Sequence, residues 1–204
     1  MISRTQLSAI VGVTALVWGI ALLASGLNIN AQFFKPFSLV TGVVAGAVSL
    51  FDLWLWRLRV LRGWFVKRPY LRGTWRVELR PSRSAGDERI ITGYMAVRQT
   101  YSTISMRLMT EESRSELLGA DIVHSPDGLF RVAGVYTNEP RISARERSPI
   151  HNGAFLLQVQ GNPATSLEGH YWTDRATLGE MRVSGRLDKI FDTFASAQHG
   201  FAGR

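Results

Sequence analysis

GTWRVELR, residues 73–80, places Trp75, Val77 and Leu79 on one side of an extended chain and Arg76, Glu78 and Arg80 on the other. A period of two is the signature of a strand with one buried and one wet face. The alternation returns in ERIITGYMAVRQT from Glu88, YSTISMRLM from Tyr101, SRSELLGADIVHS from Ser113 and GLFRVAGVYTN from Gly128. It continues in PIHNGAFLLQVQG from Pro149, SLEGHYWT from Ser166 and LGEMRVSGRL from Leu178. Polar turn-forming residues separate these runs at 84–87, 125–128, 161–165 and 173–177. Eight short antiparallel strands with no helical period between them predict a meander closed into a small barrel, because closure removes exposed edges. The interior of an eight-stranded barrel holds side chains or one small ligand. The barrel is expected over 69–190. The tail that follows, 191–204, belongs to a stretch, DKIFDTFASAQHGFAGR, predicted to begin with a short helix.

Upstream the pattern is different. No charge lies between Arg4 and Lys35, and LSAIVGVTALVWGIALLASGL, 7–27, is long enough to cross a hydrocarbon core about 30 Å thick. PFSLVTGVVAGAVSLFDLWLW, 36–56, carries only Asp52 as a charge. Two such segments joined tightly predict a transmembrane helical hairpin; a cleaved signal peptide is the rival reading of the first. Arg57, Arg59, Arg62, Lys67 and Arg68 follow the second segment directly. By the positive-inside rule they place both termini of a multi-pass membrane protein in the cytoplasm. Gly42 and Gly46 form a GxxxG step, a candidate face for helix association. Asp52 is expected at the membrane interface, with Trp54, Trp56 and Trp64 as an aromatic belt.

The chain carries a net charge of +8. Residues 1–68 hold seven basic and one acidic residue, or +6, and residues 69–204 the remaining 17 and 15, or +2. The basic excess therefore sits beside expected lipid headgroups rather than on the barrel, which argues for membrane lipids and against a DNA or RNA polymer as partner. There is no cysteine. His124, His151, His170 and His199 are too dispersed for a metal motif, and no GxSxG, Walker loop or HExxH occurs, so neither an enzyme nor a cofactor is expected.

VYTNEPRISARERSPIHNG, 135–153, is long for a hairpin connection and holds Tyr136, Asn138, Arg141, Arg145, Arg147 and His151. Arginine forks match phosphate oxygens and aromatic faces stack on bases, so the set suits a phosphate-bearing ligand with nucleobases. The competing reading pairs these arginines with Glu139 and Glu146 on a solvated loop.

The order of parts resembles a known family: the two-transmembrane, β-barrel effectors of bacterial CBASS anti-phage operons, the CD-NTase-associated protein fifteen family. The resemblance runs through PYLRGTW (69–75), YTNEP (136–140), HNG (151–153) and GHYWTDRATLG (169–179). It implies a cytoplasmic barrel that senses a cyclic di- or oligonucleotide second messenger, assembles into a homo-oligomer and disrupts the inner membrane, killing the cell before phage mature. Candidate ligand contacts within or beside these motifs are Trp75, Tyr136, Asn138, Arg141, Arg145, His151, Tyr171, Trp172 and Arg175. Of these, Arg145 and Arg175 are expected on phosphates and Tyr136, Tyr171 or Trp172 on a base. The alternatives are a membrane-tethered barrel for an apolar ligand, a lipid-surface scaffold, or a lipid hydrolase.

Overall fold

The computed structural model describes residues 8, 11, 12, 15, 16, 18–20, 23, 42, 44–62, 65–82 and 90–203. The chain divides into two compact units: Met1–Val66 with Thr100–Ser102, and Lys67–Gln99 with Thr103–Arg204.

The second unit is a closed antiparallel barrel whose eight strands follow chain order. They are β1 (Gly73–Ser82), β2 (Ile91–Gln99), β3 (Ile104–Thr110), β4 (Ser113–His124), β5 (Phe130–Pro140), β6 (His151–Gln160), β7 (Ser166–Thr173) and β8 (Leu178–Leu187). The alternation carries through: Trp75, Val77, Val132, Leu157 and Val183 are fully buried inside, whereas Arg76 and Arg80 face water. Two bulges bend the wall. Leu118 has no partner opposite it on β5, and Gly185, at φ 59°, is the extra residue of β8 opposite β1; a left-handed bulge residue favours glycine.

One end of the barrel is sealed by the chain entering β1. Leu71 is fully buried; its N–H donates to Gln99 Oε1 (2.7 Å) and its carbonyl accepts from Trp75 Nε1 (2.8 Å). Gln99 Nε2 in turn donates to the Pro69 carbonyl (2.9 Å). The PYLRGTW segment is thus a plug whose backbone groups are satisfied by two buried polar side chains, as burial of main chain requires.

The C-terminal stretch differs from its expectation. The helix comes late, at Phe194–Ala202, where Thr193 Oγ1 accepts from Ser196 N (3.2 Å) as the N-cap. Its approach is extended and clamped by Thr74, whose hydroxyl donates to the Lys189 carbonyl (2.8 Å) and accepts from Phe191 N (3.0 Å). Phe191, Phe194 and Phe201 then cover Tyr94, Ala96 and Met109.

The expected transmembrane hairpin is corrected. Among the described residues no helix is long and apolar enough to cross a membrane. Residues 44–53 are helical, but Trp54 begins a turn and Leu55–Arg57 and Arg59–Leu61 are single 3-10 turns. The multi-pass inner-membrane placement with cytoplasmic termini rested on that hairpin and falls with it. Most of 7–27, and 36–41 with residue 43 of the second segment, lie outside the described residues. Asp52, expected at an interface, caps a loop of its own unit: its Oδ1 accepts from Ser102 N (2.7 Å) and its carbonyl from Tyr101 N (2.9 Å). Phe51 packs edge-on against both Tyr101 and Phe65.

Candidate functional site

In a meander the connections alternate between ends. The β3–β4, β5–β6 and β7–β8 turns therefore gather at the end opposite the plug, and there the barrel opens into a cavity of about 1030 Å³ whose lining runs from the mouth over the rim to the outer wall at Arg76, Tyr94, Phe194 and Phe201. That is ample for a drug-sized or somewhat larger ligand. Its walls can be followed strand by strand through the register.

The rim row is polar. Ser115 on β4 pairs with Asn138 on β5, which pairs with His151 on β6, and all three are buried side chains lining the cavity. Ser115 Oγ donates to Asn138 Oδ1 (2.9 Å), and His151 Nδ1 lies 3.0 Å from the Pro149 carbonyl. One step deeper come Leu117, Tyr136, Gly153 and Thr173, then Gly134, Phe155, Tyr171 and Gly179. Tyr136 lies across Gly153: a Cβ there would sit 2.5 Å from the phenol's Cζ and oxygen. Tyr171 lies across Gly179 in the same way, 2.9 Å from the position a Cβ would take. Each inward tyrosine uses the space a neighbouring strand leaves by having no side chain. Beneath them the floor is apolar, with Met95, Met106 and Met181 around a void too small for more than one water.

Burial pushes the Tyr136 phenol up from 10.0 to about 12. The neighbouring Tyr171 adds to the rise, Arg175 opposes it and Asp174 contributes a further rise. Arg175 reaches the rim from the β7–β8 turn, where Ala176 takes a positive φ of 55°. Asp174 pins that turn to β6: its N–H donates to the Asn152 carbonyl (3.0 Å) and its Oδ2 accepts from Asn152 N (2.9 Å). Arg175 Nη1 is 3.4 Å from Ser148 Oγ and has no carboxylate partner among the described residues. Across the rim Arg147 pairs with Glu112, whose carbonyl also accepts from Arg141 N (2.8 Å).

Of the residues singled out from sequence, Tyr136, Asn138, His151, Tyr171 and Arg175 converge on this cavity. Tyr136, Asn138 and His151 belong to strands rather than to a loop, so the true connection is 141–150. Arg141 and Arg145 are exposed and do not line the cavity; Arg145 Nε donates to the Pro140 carbonyl (3.2 Å). Neither meets Glu139 or Glu146; Glu139 pairs with Arg114. Trp172 points outward on β7, 46% exposed, since its neighbour Tyr171 points in. Trp75 is fully buried at the plugged end, beneath the Arg186 guanidinium. Gly42 and Gly46 are helical, and a Cβ on either would meet nothing within 4 Å. Sequence reasoning passed over Ser115 and Thr173, and it placed Arg147 in the 135–153 set suited to a phosphate-bearing ligand without naming it a contact. The available signal was parity, because Ser115 shares the inward phase of Leu117 at the start of β4.

A closed eight-stranded barrel with a plugged end, a polar rim and an open mouth is of the class that can hold one small ligand. Residues 66–184 match the family model described as Cap15, cyclic dinucleotide receptor domain, and the chain belongs to that family. It is also 28% identical over 133 residues to the CD-NTase-associated protein 15 of Staphylococcus schleiferi, a stretch covering 64% of this chain and 67% of that relative.

Proposed function

We propose that the protein is a CBASS anti-phage effector that receives a cyclic dinucleotide in the open mouth of its barrel. The observation that carries this reading is the open mouth of the barrel, ringed by Arg147, Arg175, Asn138 and His151 and walled by Tyr136 and Tyr171, within a receptor-family domain. Cations at the rim meet phosphates, and inward tyrosines give bases a flat surface. Arg141 and Arg145 extend the positive potential outward and steer the anion without touching it. The role is reception and signalling rather than catalysis.

Ligand-loaded copies then self-associate and damage the cell membrane, killing the infected bacterium. Such a switch requires that the ligand bind the assembled form better than the resting one. The exposed Gly42–Gly46 step offers a close-approach face for that assembly. Trp54, Leu58, Val60 and Phe65 are exposed beside Arg57, Arg59 and Lys67, a composition suited to a lipid surface.

Calorimetric titration of the full-length chain against a panel of cyclic di- and trinucleotides tests the proposal. Micromolar or tighter binding to at least one cyclic dinucleotide is expected. Absence of heat from a folded protein would leave an apolar ligand or a scaffold role in its place.

A further inference from the structure

Asn138 and His151 are direct register partners, both inward, so their Cβ atoms stand about 5 Å apart on the cavity wall. Each has one polar atom committed to the protein. Asn138 Oδ1 accepts from Ser115 Oγ (2.9 Å), which turns the amide so that Nδ2 is the atom left over. His151 Nδ1 faces the Pro149 carbonyl at 3.0 Å; a carbonyl only accepts, so Nδ1 carries the proton and a neutral ring presents Nε2 as a bare lone pair. Neither Asn138 Nδ2 nor His151 Nε2 has a hydrogen-bond partner among the described residues. The wall therefore displays one donor beside one acceptor, oriented by the barrel before any ligand arrives.

A phosphate oxygen suits only half of this pair, since it accepts from Asn138 Nδ2 but meets the His151 lone pair with repulsion. A nucleobase edge carrying an acceptor next to an N–H satisfies both at once. We infer that Asn138 and His151 form a base-reading pair that binds the hydrogen-bonding edge of one nucleobase, leaving the phosphates to Arg147 and Arg175. The inference rests on the receptor reading above and divides the site by chemistry: phosphate contacts hold any ligand of the class, and the pair decides which one. The floor below is lined mostly by apolar side chains, among them Met95, Met106 and Met181, with Ser115 and Tyr136 at its upper edge.

The test uses the full-length chain and four cyclic dinucleotides that share a linkage and differ only in base. Asn138→Asp, which exchanges the donor for an acceptor at equal size, and His151→Phe, which removes the acceptor, are expected to change the rank order of the four. The best ligand should lose about tenfold or more, and the poorest little. Arg175→Gln, the control, is expected to weaken all four by a similar factor. Equal losses for all four ligands in both wall variants, or no loss, would overturn the base-reading role while leaving the receptor reading intact. If the unaltered protein binds none of the four, the receptor reading itself fails, and the two failures are thereby distinct. Where a wall variant does not fold, the unaltered protein is titrated with its best ligand methylated at the base N–H. A loss of about tenfold is expected, and undiminished affinity would overturn the pairing.

Discussion

At the scale of single residues, two features of the site depend on what is absent from a position. Gly153 has no side chain where Tyr136 lies, so Gly153→Ala must drive the phenol from the wall into the ligand space. Overpacking of this kind costs about 1–3 kcal/mol, and denaturant unfolding should read that loss together with weakened ligand binding. The Tyr136 phenol itself is held neutral by burial, with its pKa raised from 10.0 to about 12. A group whose folded pKa exceeds its unfolded one keeps its proton in the native state after the unfolded chain has lost it. Its stabilising contribution is therefore complete below about pH 10 and disappears as pH rises to about 12. Unfolding of the native protein and of Tyr136→Phe across pH 8 to 12 should show a free-energy difference that is flat at first and then changes against the native protein. A difference that stays flat throughout would show that the phenol is not buried in solution.

At the scale of elements, the rim is assembled from turns that grip one another. Glu112 on the β3–β4 turn holds the 141–147 segment twice, through its carbonyl to Arg141 N and through its carboxylate to Arg147. The carboxylate competes with any phosphate for Arg147. Glu112→Gln should therefore tighten binding of an anionic ligand by about two- to fivefold at low salt, and by less as salt screens an exposed pair. At the other end of the barrel Thr74 is buried and its hydroxyl ties the chain leaving β8 to β1 by two hydrogen bonds. Thr74→Val keeps the shape, removes both bonds and strands the Phe191 N–H. A loss of about 1–3 kcal/mol is expected in unfolding titrations, with faster hydrogen exchange across the C-terminal helix, whose nine residues are too few to persist undocked.

At the scale of the whole molecule, most of the barrel was legible because strand alternation is local and survives without knowledge of the partner strand. Trp75, Val77 and Leu79 face inward as their period dictates. The end of the barrel to which each residue belongs is a different matter, although the meander supplies it: Trp75 begins β1 and Tyr136 lies near the end of β5, so they occupy opposite ends. Tyr171 and Trp172 posed a harder choice. They are adjacent and both aromatic, so one must point in and one out; Tyr171 shares the inward phase of Leu167 and Thr173, and its partner Gly179 leaves room for the ring. The loop arginines were identifiable as cations but not as contacts, because the chemistry of 141–150 is the same wherever its side chains point. The N-terminal hydropathy registers apolar composition and does not locate the ends of a helix. The helical run through Leu53 gives way to 3-10 turns at Leu55–Arg57 and Arg59–Leu61, where arginines enter the apolar sequence.

The proposed function places the cyclic dinucleotide in the mouth of the barrel. The crystal structure of the full-length chain with its tightest cyclic dinucleotide tests this most directly. The ligand is expected in the mouth, with a base at Asn138 and His151, an aromatic face against Tyr136 or Tyr171, and phosphate oxygens within hydrogen-bond distance of Arg175 or Arg147. A ligand bound outside the barrel, with the mouth unchanged, would contradict it.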